Sequence, residues 1–256
     1  EDEDIIHVAG KISPLDDIEI INTELVLADL AAVEKLYQKA IKNTKSGQKD
    51  GLPLKALLEK ILPTLEAGEC ARTLSYDEEE LKLLKGFQLL TIKPVLYVAN
   101  VSEEGFSDNP HLDVVADFSK AEGSQVVAIC ADIEAEISEL DLEEKQEFLS
   151  EMGQSESGLD RLIKSGYALL GLRTYFTAGV QEVRAWTINA GDSAPQAAGK
   201  IHGDFEKGFI RAETIAFDDF IQYGGEKGAK EVGKLRSEGK EYIVQDGDVV
   251  HFLFNV

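Results

Sequence analysis

The sequence predicts an α/β chain: an incomplete P-loop nucleotide-binding domain with a Rossmann-like parallel sheet, interrupted by an antiparallel helical hairpin and followed by a β-grasp, ubiquitin-like module. Three observations predict it. Residues Val95 to Glu103, VLYVANVSE, read as a buried strand that delivers an Asn at its carboxyl end, three residues ahead of a carboxylate. That is the base-reading corner of a nucleotide-binding sheet. No G-x-x-x-x-G-K-[ST] loop occurs in the 256 residues, so the phosphate cradle is expected to be missing from this chain. Before that corner lie two apolar stripes of helical period, and after Gly171 short strands alternate with short helical segments.

Taken in order, Ile5 to Val8 reads as a short strand ending at Gly10. Ser13-Pro14-Leu15-Asp16 starts a helix, with Ser as cap, Pro at the first helical position and Asp in the first turn. Its apolar face is Ile18, Ile21, Leu25, Leu30, Val33, Tyr37, Ala40 and Ile41, and the polar run Asn43 to Gly47 ends it. A second helix carries Leu54, Leu57, Leu58, Ile61, Leu62 and Leu65, and Pro63 is expected to kink or end it. Two such helices joined by a Lys-rich turn make an antiparallel hairpin. A shorter helix, Asp77 to Lys85, leads back out.

The period then changes. Leu89 to Ala99 is strand-like, Asn109-Pro110 opens a helix to about Glu122, and Gln125 to Ile129 is a second apolar strand. This alternation predicts a parallel sheet with crossovers. Ile133–Leu140, Leu142–Met152 and Gly158–Leu170 read as helices. Beyond Gly171 the strands are Arg173–Thr177, Glu182–Ile188, Ile210–Phe217, Tyr242–Val244 and Val249–Phe254. A helix near Ala194–His202 and a weaker helical stretch near Gly228–Glu238 lie between them, and Asp246-Gly247-Asp248 is a tight-turn signal. The expected domains are 1–19 with 86–170 for the nucleotide-binding part, 20–85 for the hairpin, and 171–256 for the β-grasp module.

Composition narrows the classes. The hydrophobic fraction of 43% is ordinary for a globular protein, and no run of about 18 apolar residues predicts a membrane span. The acidic start Glu1-Asp2-Glu3-Asp4 argues against a leader at this terminus. Cys70 and Cys130 suggest neither a disulfide framework nor a zinc site, and the expected location is a reducing cytoplasm. A net charge of −22 argues against wrapping nucleic acid with the whole chain. The charge is uneven, however. Between Glu34 and Leu62 there are seven Lys against three acids, whereas residues 171–256 carry ten basic and thirteen acidic groups. Such a basic patch acts only at short range, since salt screens beyond about 8–10 Å.

Five segments carry a family resemblance: DDIEIINTELVLADL, LTIKPVLYVANVSEEGF, YFTAGVQEVRAWTI, KIHGDFEKGFIRAE and EYIVQDGDVVHFLFNV. Through them the chain resembles the Obg-like ATPases of the YchF type over essentially its whole length. The resemblance implies a P-loop domain interrupted by a helical hairpin, then a carboxyl-terminal TGS domain. It also implies that this chain begins after the phosphate loop and switches. Further implications are ATP taken with magnesium, whose ligands belong to that absent segment, together with ribosome association and a regulatory role in translation.

The base-reading chemistry follows from residue types. Guanine-specific relatives carry Asn-Lys-x-Asp, whose Asp accepts from N1–H and the exocyclic amine of guanine. Here the motif is Asn100-Val101-Ser102-Glu103. Glu103 is one methylene longer, and Val101 replaces the Lys. A carboxylate facing N1 of adenine meets a lone pair, so displacing it weakens guanine preference. The resemblance likewise implies ATP over GTP. Asn100 is expected to contact base N7 or to tie adjoining loops together, with Val101 packing beside the ring. Cys130-Ala131-Asp132 matches, by resemblance, the Ser-Ala-Lys loop whose backbone N–H groups contact the base. Both loops fall at carboxyl ends of parallel strands, where such sheets bind ligands. Cys130 reads either as a redox-sensitive thiol or as a small buried apolar residue.

No catalytic residue and no metal ligand is assigned. His7, His111, His202 and His251 lack metal-ligand spacing, Glu134, Glu136 and Glu139 read as a solvated helix face, and Trp186 reads as core. Lys35, Lys39, Lys42, Lys45 and Lys49 are candidates for contact with the ribosome or its RNA, against the plainer reading of a solvated helix face. The leading expectation is an ATP-hydrolysing, ribosome-associated protein whose hydrolysis depends on phosphate positioning outside this chain, which alone is expected to be inactive. The alternatives are a non-catalytic ribosome- or protein-docking module, or a GTP-binding protein. A protein partner on the TGS sheet would use Arg184, Phe209 or Arg211.

Overall fold

The computed structural model describes residues 10–45 and 51–255, which fall into two compact units divided between Leu162 and Ile163. The strand expected at Ile5–Val8, and Lys49, lie outside the described residues.

The first unit is built on a long helix, α1 (Pro14–Lys45), and α2 (Gly51–Glu66). Their apolar stripes meet as expected. Val26, Val33 and Ala40 from α1 are buried with Leu57, Leu58, Ile61 and Leu65 from α2. Each fully buried Leu or Ile contributes about 2 kcal/mol. Pro63 neither ends nor visibly breaks α2, which continues to Glu66. Pro63 is exposed, so the Glu59 carbonyl that loses its helical donor faces water, while buried Ile61 and Leu65 hold both sides of it to the core. The helix closes at Gly68, in the left-handed region with φ 81°, and Glu69 N–H returns to the Thr64 carbonyl. A single 3-10 turn at Ala71–Thr73 precedes α3 (Glu78–Leu84), whose Asp77 and Glu80 form a reciprocal capping box.

The strand expected over Leu89–Ala99 shortens to β1 (Leu96–Asn100). Residues 89–93 are an irregular segment instead, pinned by a side chain far away in sequence. The carboxylate of buried Asp29 accepts Leu90 N–H (2.9 Å), Thr91 N–H (2.7 Å) and the Thr91 hydroxyl (2.6 Å). α4 (Pro110–Glu122) crosses over to β2 (Gln125–Ile129), which pairs parallel with β1 in the register Leu96↔Gln125 to Asn100↔Ile129. Asn109 caps α4 through His111 and Leu112 N–H, Pro110 opens it, and Gly123 ends it with φ 77°. β1 is less buried than its sequence predicts, with Val98 45% exposed, because among the described residues β2 is its sole partner strand. Then follow α5 (Ala131–Glu139), α6 (Leu142–Glu151) and α7 (Gly158–Leu169), and the boundary between the units falls within α7.

The second unit is a five-stranded mixed sheet. Its strands are β3 (Leu172–Ala178), β4 (Val183–Asn189), β5 (Phe209–Ile215), β6 (Arg236–Glu238) and β7 (Val249–Phe254), in spatial order β4-β3-β7-β5-β6. β3 and β7 lie side by side and parallel at the middle. The helix α8 (Ala194–Ile201) offers Ala194, Ala197 and Ala198, which let its backbone come close enough for the Tyr175 hydroxyl to reach the Ala197 carbonyl at 2.9 Å. α9 (Gly203–Lys207), α10 (Phe217–Gln222) and α11 (Glu226–Glu231) complete the unit.

Three expectations change here. The strand placed over Ile210–Phe217 stops at Ile215, and Phe217 opens α10. The helical stretch at Gly228–Glu238 is α11 followed by β6, a short strand that pairs with β5 and has no apolar run to announce it. Tyr242–Val244 is no strand; it makes one bridge, Ser193↔Ile243, and brackets the start of α8 through main-chain bonds. Asp246-Gly247-Asp248 is the expected turn, with Gly247 at φ 80° and its N–H on the Thr174 carbonyl.

Candidate functional site

Parallel pairing of β1 and β2 brings two loops together at their carboxyl ends. Asn100 closes β1, and its Oδ1 accepts the N–H of Ala131, the first residue of α5, at 3.0 Å. Val101 N–H continues the ladder onto the Ile129 carbonyl at 2.8 Å. Asn100 and Ala131, one from each loop, are therefore in direct contact. With Oδ1 engaged, the Asn100 amide directs its NH2 donors outward; no partner for them is found among the described residues. A purine N7, an acceptor shared by adenine and guanine, suits such a donor.

The loop after β1 is braced from within. Gly105 N–H reaches the Ser102 carbonyl, and the Asn109 amide donates to the Gly105 carbonyl at 2.9 Å. A Cβ on Gly105 would stand 3.1 Å from both Ser102 Oγ and Val101 Cβ, so this turn is tight. Glu103 projects from it, exposed and without an ion-pair or hydrogen-bond partner among the described residues. Cys130, by contrast, is 1% exposed and packed with Ile133, Ile137 and Leu149, so the small-apolar role is the one this packing serves.

Glu134, which its sequence context places on a solvated helix face, has a specific role instead. Glu134, in the first turn of α5, accepts Gly158 N–H at 2.6 Å and Leu159 N–H at 3.0 Å. It thus fills the amino terminus of α7, whose cap Ser157 is buried and bonded to Asp160. Arg161, one turn on, reaches back to the Ala128 carbonyl of β2 at 3.2 Å. Only the glycine at 158 hints at this in the sequence: a Cβ there would lie 2.8 Å from Glu134 Oε1.

The candidate lysines sit on the other arm of the first unit. Lys35, Lys39 and Lys42 are exposed on α1 at spacings of four and three, hence on one face, and Lys45 is the last residue of that helix. Lys55 and Lys60, also counted in the basic stretch, are engaged with Glu59 and Glu80. In the second unit Arg184 is exposed and stacks on Trp186 at 4.2 Å, and Arg211 pairs with Glu213 at 3.2 Å. Phe209 is a core residue, 4% exposed, which removes it as a surface contact. Trp186 is half-buried, with its indole N–H on the Thr177 hydroxyl at 2.9 Å. Among the described residues no group of three or more His, Cys, Asp or Glu side chains is placed to hold a metal. None of their helices is long and apolar enough to cross a membrane.

A protein of Haemophilus influenzae called "Ribosome-binding ATPase YchF" is 59% identical over all 256 residues of this chain, which spans 70% of that relative. The chain belongs to the YchF family. A Bacillus subtilis relative of the same name is 54% identical over 258 residues, again with the whole chain and 70% of the relative covered. The solved Schizosaccharomyces pombe YchF GTPase is 33% identical with a TM-score of 0.83, covering 99% of this chain and 69% of that one. The YchF-GTPase_C family, described as a protein of unknown function (DUF933), matches residues 172–255, which hold the whole five-stranded sheet. A GTP-binding protein of Pyrococcus horikoshii shares only the fold, at 16% identity and a TM-score of 0.57. The mixed α/β architecture seen here is thus that of YchF structures.

Proposed function

We propose that this protein is a ribosome-associated, ATP-binding and ATP-hydrolysing regulator, with the base held between the loops after β1 and β2 and with ATP preferred over GTP. The observation that carries the reading is the Asn100–Ala131 hydrogen bond, which joins the two loops at the carboxyl ends of parallel strands. The names of the relatives, at 54–59% identity, supply the ATPase and the ribosome. In this reading Asn100 donates to base N7, Val101 and the Ala131 loop flank the ring, and Cys130 anchors that loop through its core packing. Glu103 replaces the aspartate of guanine readers. No residue of this chain is assigned to phosphate or magnesium. Bound ATP supplies the scissile phosphoanhydride, and the residues named here only hold and orient its base. Residues 1–19 with 86–170 form the nucleotide-binding part, 20–85 the hairpin and 171–256 a TGS domain. The strand order of the second unit, with first and last strands parallel at its centre, supports the β-grasp assignment.

The test is equilibrium binding of ATP and GTP to the wild type and to the double variant Val101→Lys, Glu103→Asp. The wild type is expected to prefer ATP and the variant to move toward GTP. Binding of neither nucleotide would leave a docking module on a nucleotide-type fold. That second reading is favoured by one observation, the exposed row Lys35, Lys39, Lys42 on α1.

A further inference from the structure

We propose that Glu134 is a positioning residue for the base: by clamping the start of α7 to the first turn of α5, it fixes the Cys130–Ala131 loop that faces the nucleotide. The inference rests on the base-binding reading above. Ala131 is the first residue of α5, and its N–H is committed to Asn100. A helix start held at only one point can still pivot. Three residues on, the Glu134 carboxylate supplies the second point. Its two oxygens take two successive main-chain donors, Gly158 N–H at 2.6 Å and Leu159 N–H at 3.0 Å. These are among the donors a helix start leaves without intrahelical partners, and a carboxylate there also meets the favourable end of the helix dipole. The partner of the clamp is itself fixed. Arg161 holds the Ala128 carbonyl of β2, and its other nitrogen bonds Gln154 Oε1 and the Glu156 carbonyl. Ile133 and Ile137 bury the inner face of α5 beside Cys130. The loop is thus held from β1 by Asn100, from α7 by Glu134 and from beneath by the core.

Glu134 touches no nucleotide in this arrangement, because both carboxylate oxygens are turned to α7. Its effect must therefore pass through the loop, and that has a distinctive signature. Replacing Glu134 with Gln keeps length and one acceptor oxygen but leaves one main-chain donor unmet. A group acting through Asn100 and Ala131 should lose its effect once Asn100 is gone, since sites in one network couple non-additively.

The experiment is calorimetric titration of the full-length protein with ATP at a temperature well below every variant's melting point. The variants are Asn100→Ala, Glu134→Gln, Glu134→Asp and Asn100→Ala combined with Glu134→Gln. Glu134→Gln is expected to weaken ATP binding about tenfold, as for loss of one charge-assisted hydrogen bond. The double variant should be no weaker than Asn100→Ala alone. Glu134→Asp keeps the charge but withdraws it by a methylene, so it gives the same test should the Gln variant fail to fold. A folded Glu134 variant with unchanged ATP affinity beside a weakened Asn100→Ala overturns the inference and leaves the base site standing. Fully additive losses in the double variant overturn it too. Unchanged affinity in Asn100→Ala overturns both readings.

Discussion

Arg72 donates through both Nε and Nη2, at 2.9 and 2.6 Å, to a single carboxylate oxygen of Glu122. The other oxygen accepts the Tyr97 hydroxyl at 2.7 Å, and Arg72 Nη2 also reaches Asn22 Oδ1 at 3.3 Å. One ion pair thereby gathers α1, the turn after α2, β1 and the end of α4. Its side chains are only 12% and 16% exposed, so both ends of the pair are largely shielded from water. Removing one partner from such a pair leaves a charge largely shielded from water and without its counter-ion. Arg72→Ala is expected to destabilise the protein by about 3 kcal/mol. Guanidinium unfolding curves should show this, and a loss below about 1 kcal/mol would mean that the pair behaves like an exposed one.

The same cluster sets a pH dependence with two arms. Burial, and then the hydrogen bond to Glu122, push the Tyr97 phenol up to about 12. The folded state holds this proton more tightly than the unfolded chain, whose phenols titrate near about 10. The stabilisation is therefore whole below about pH 10 and is lost as the pH rises toward about 12. For Glu122, burial is the largest influence and raises the carboxyl; the bonds from Tyr97 and Arg72 with the guanidinium charge outweigh it, and the net result lies below the ordinary glutamate value. That stabilisation is whole above about pH 4.3, the unfolded value, and vanishes as the pH falls through the folded one. Denaturation midpoints followed from acid to alkali should fall at both ends. Tyr97→Phe should make the alkaline arm shallower without removing it, because burial also lifts Tyr76 and Tyr242 to about 12.

Asp29→Ala should be among the more damaging single changes in the first unit. It strips the partners from two main-chain donors and a hydroxyl in a region where Thr91 is fully buried. Unmet buried donors cost about 1–3 kcal/mol each, so a total near 3 kcal/mol is expected. Hydrogen exchange should quicken first at Leu90 and Thr91, and exchange there at the wild-type rate would show that other groups hold the segment.

The lysine row on α1 offers a test of docking that leaves the core alone. Lys35, Lys39 and Lys42 are exposed, so changing all three to Glu should shift the melting point little. If they meet RNA phosphates, co-sedimentation with ribosomes should weaken and its salt dependence should lose about three counter-ions' worth of slope. Unaltered pelleting would remove this face from the docking argument.

The residues show why some of this was legible in advance. The hairpin was, because Leu57, Leu58, Ile61 and Leu65 repeat at the helical period and the partner stripe does the same. The end of a strand at Asn100 was, because the apolar run from Val95 to Ala99 stops there at a polar residue. Residues 89–93 were not: LLTIK has strand-like composition, and what holds it irregular is Asp29, 62 positions from Thr91. Glu134 was hidden for the same reason, its donors lying 24 and 25 residues away. β6 was missed because Arg236-Ser237-Glu238 carries no apolar signal and exists through pairing with β5. Local period announces elements, whereas a bond between distant main-chain and side-chain groups announces nothing until the chain is folded.

The middle of the second sheet also constrains how that unit comes into being. β3 is the first strand of this sheet in chain order and β7 the last, yet they are neighbours. Until β7 has emerged, the hairpin of β3 and β4 and the pair of β5 and β6 have no bridge between them, and Tyr175 lacks Phe252, the ring it meets edge-on at 5.7 Å. Contacts so far apart in sequence close late and slowly. The two halves of this sheet can therefore join only through β7, so the unit is closed along its centre by the strand farthest from β3 in sequence.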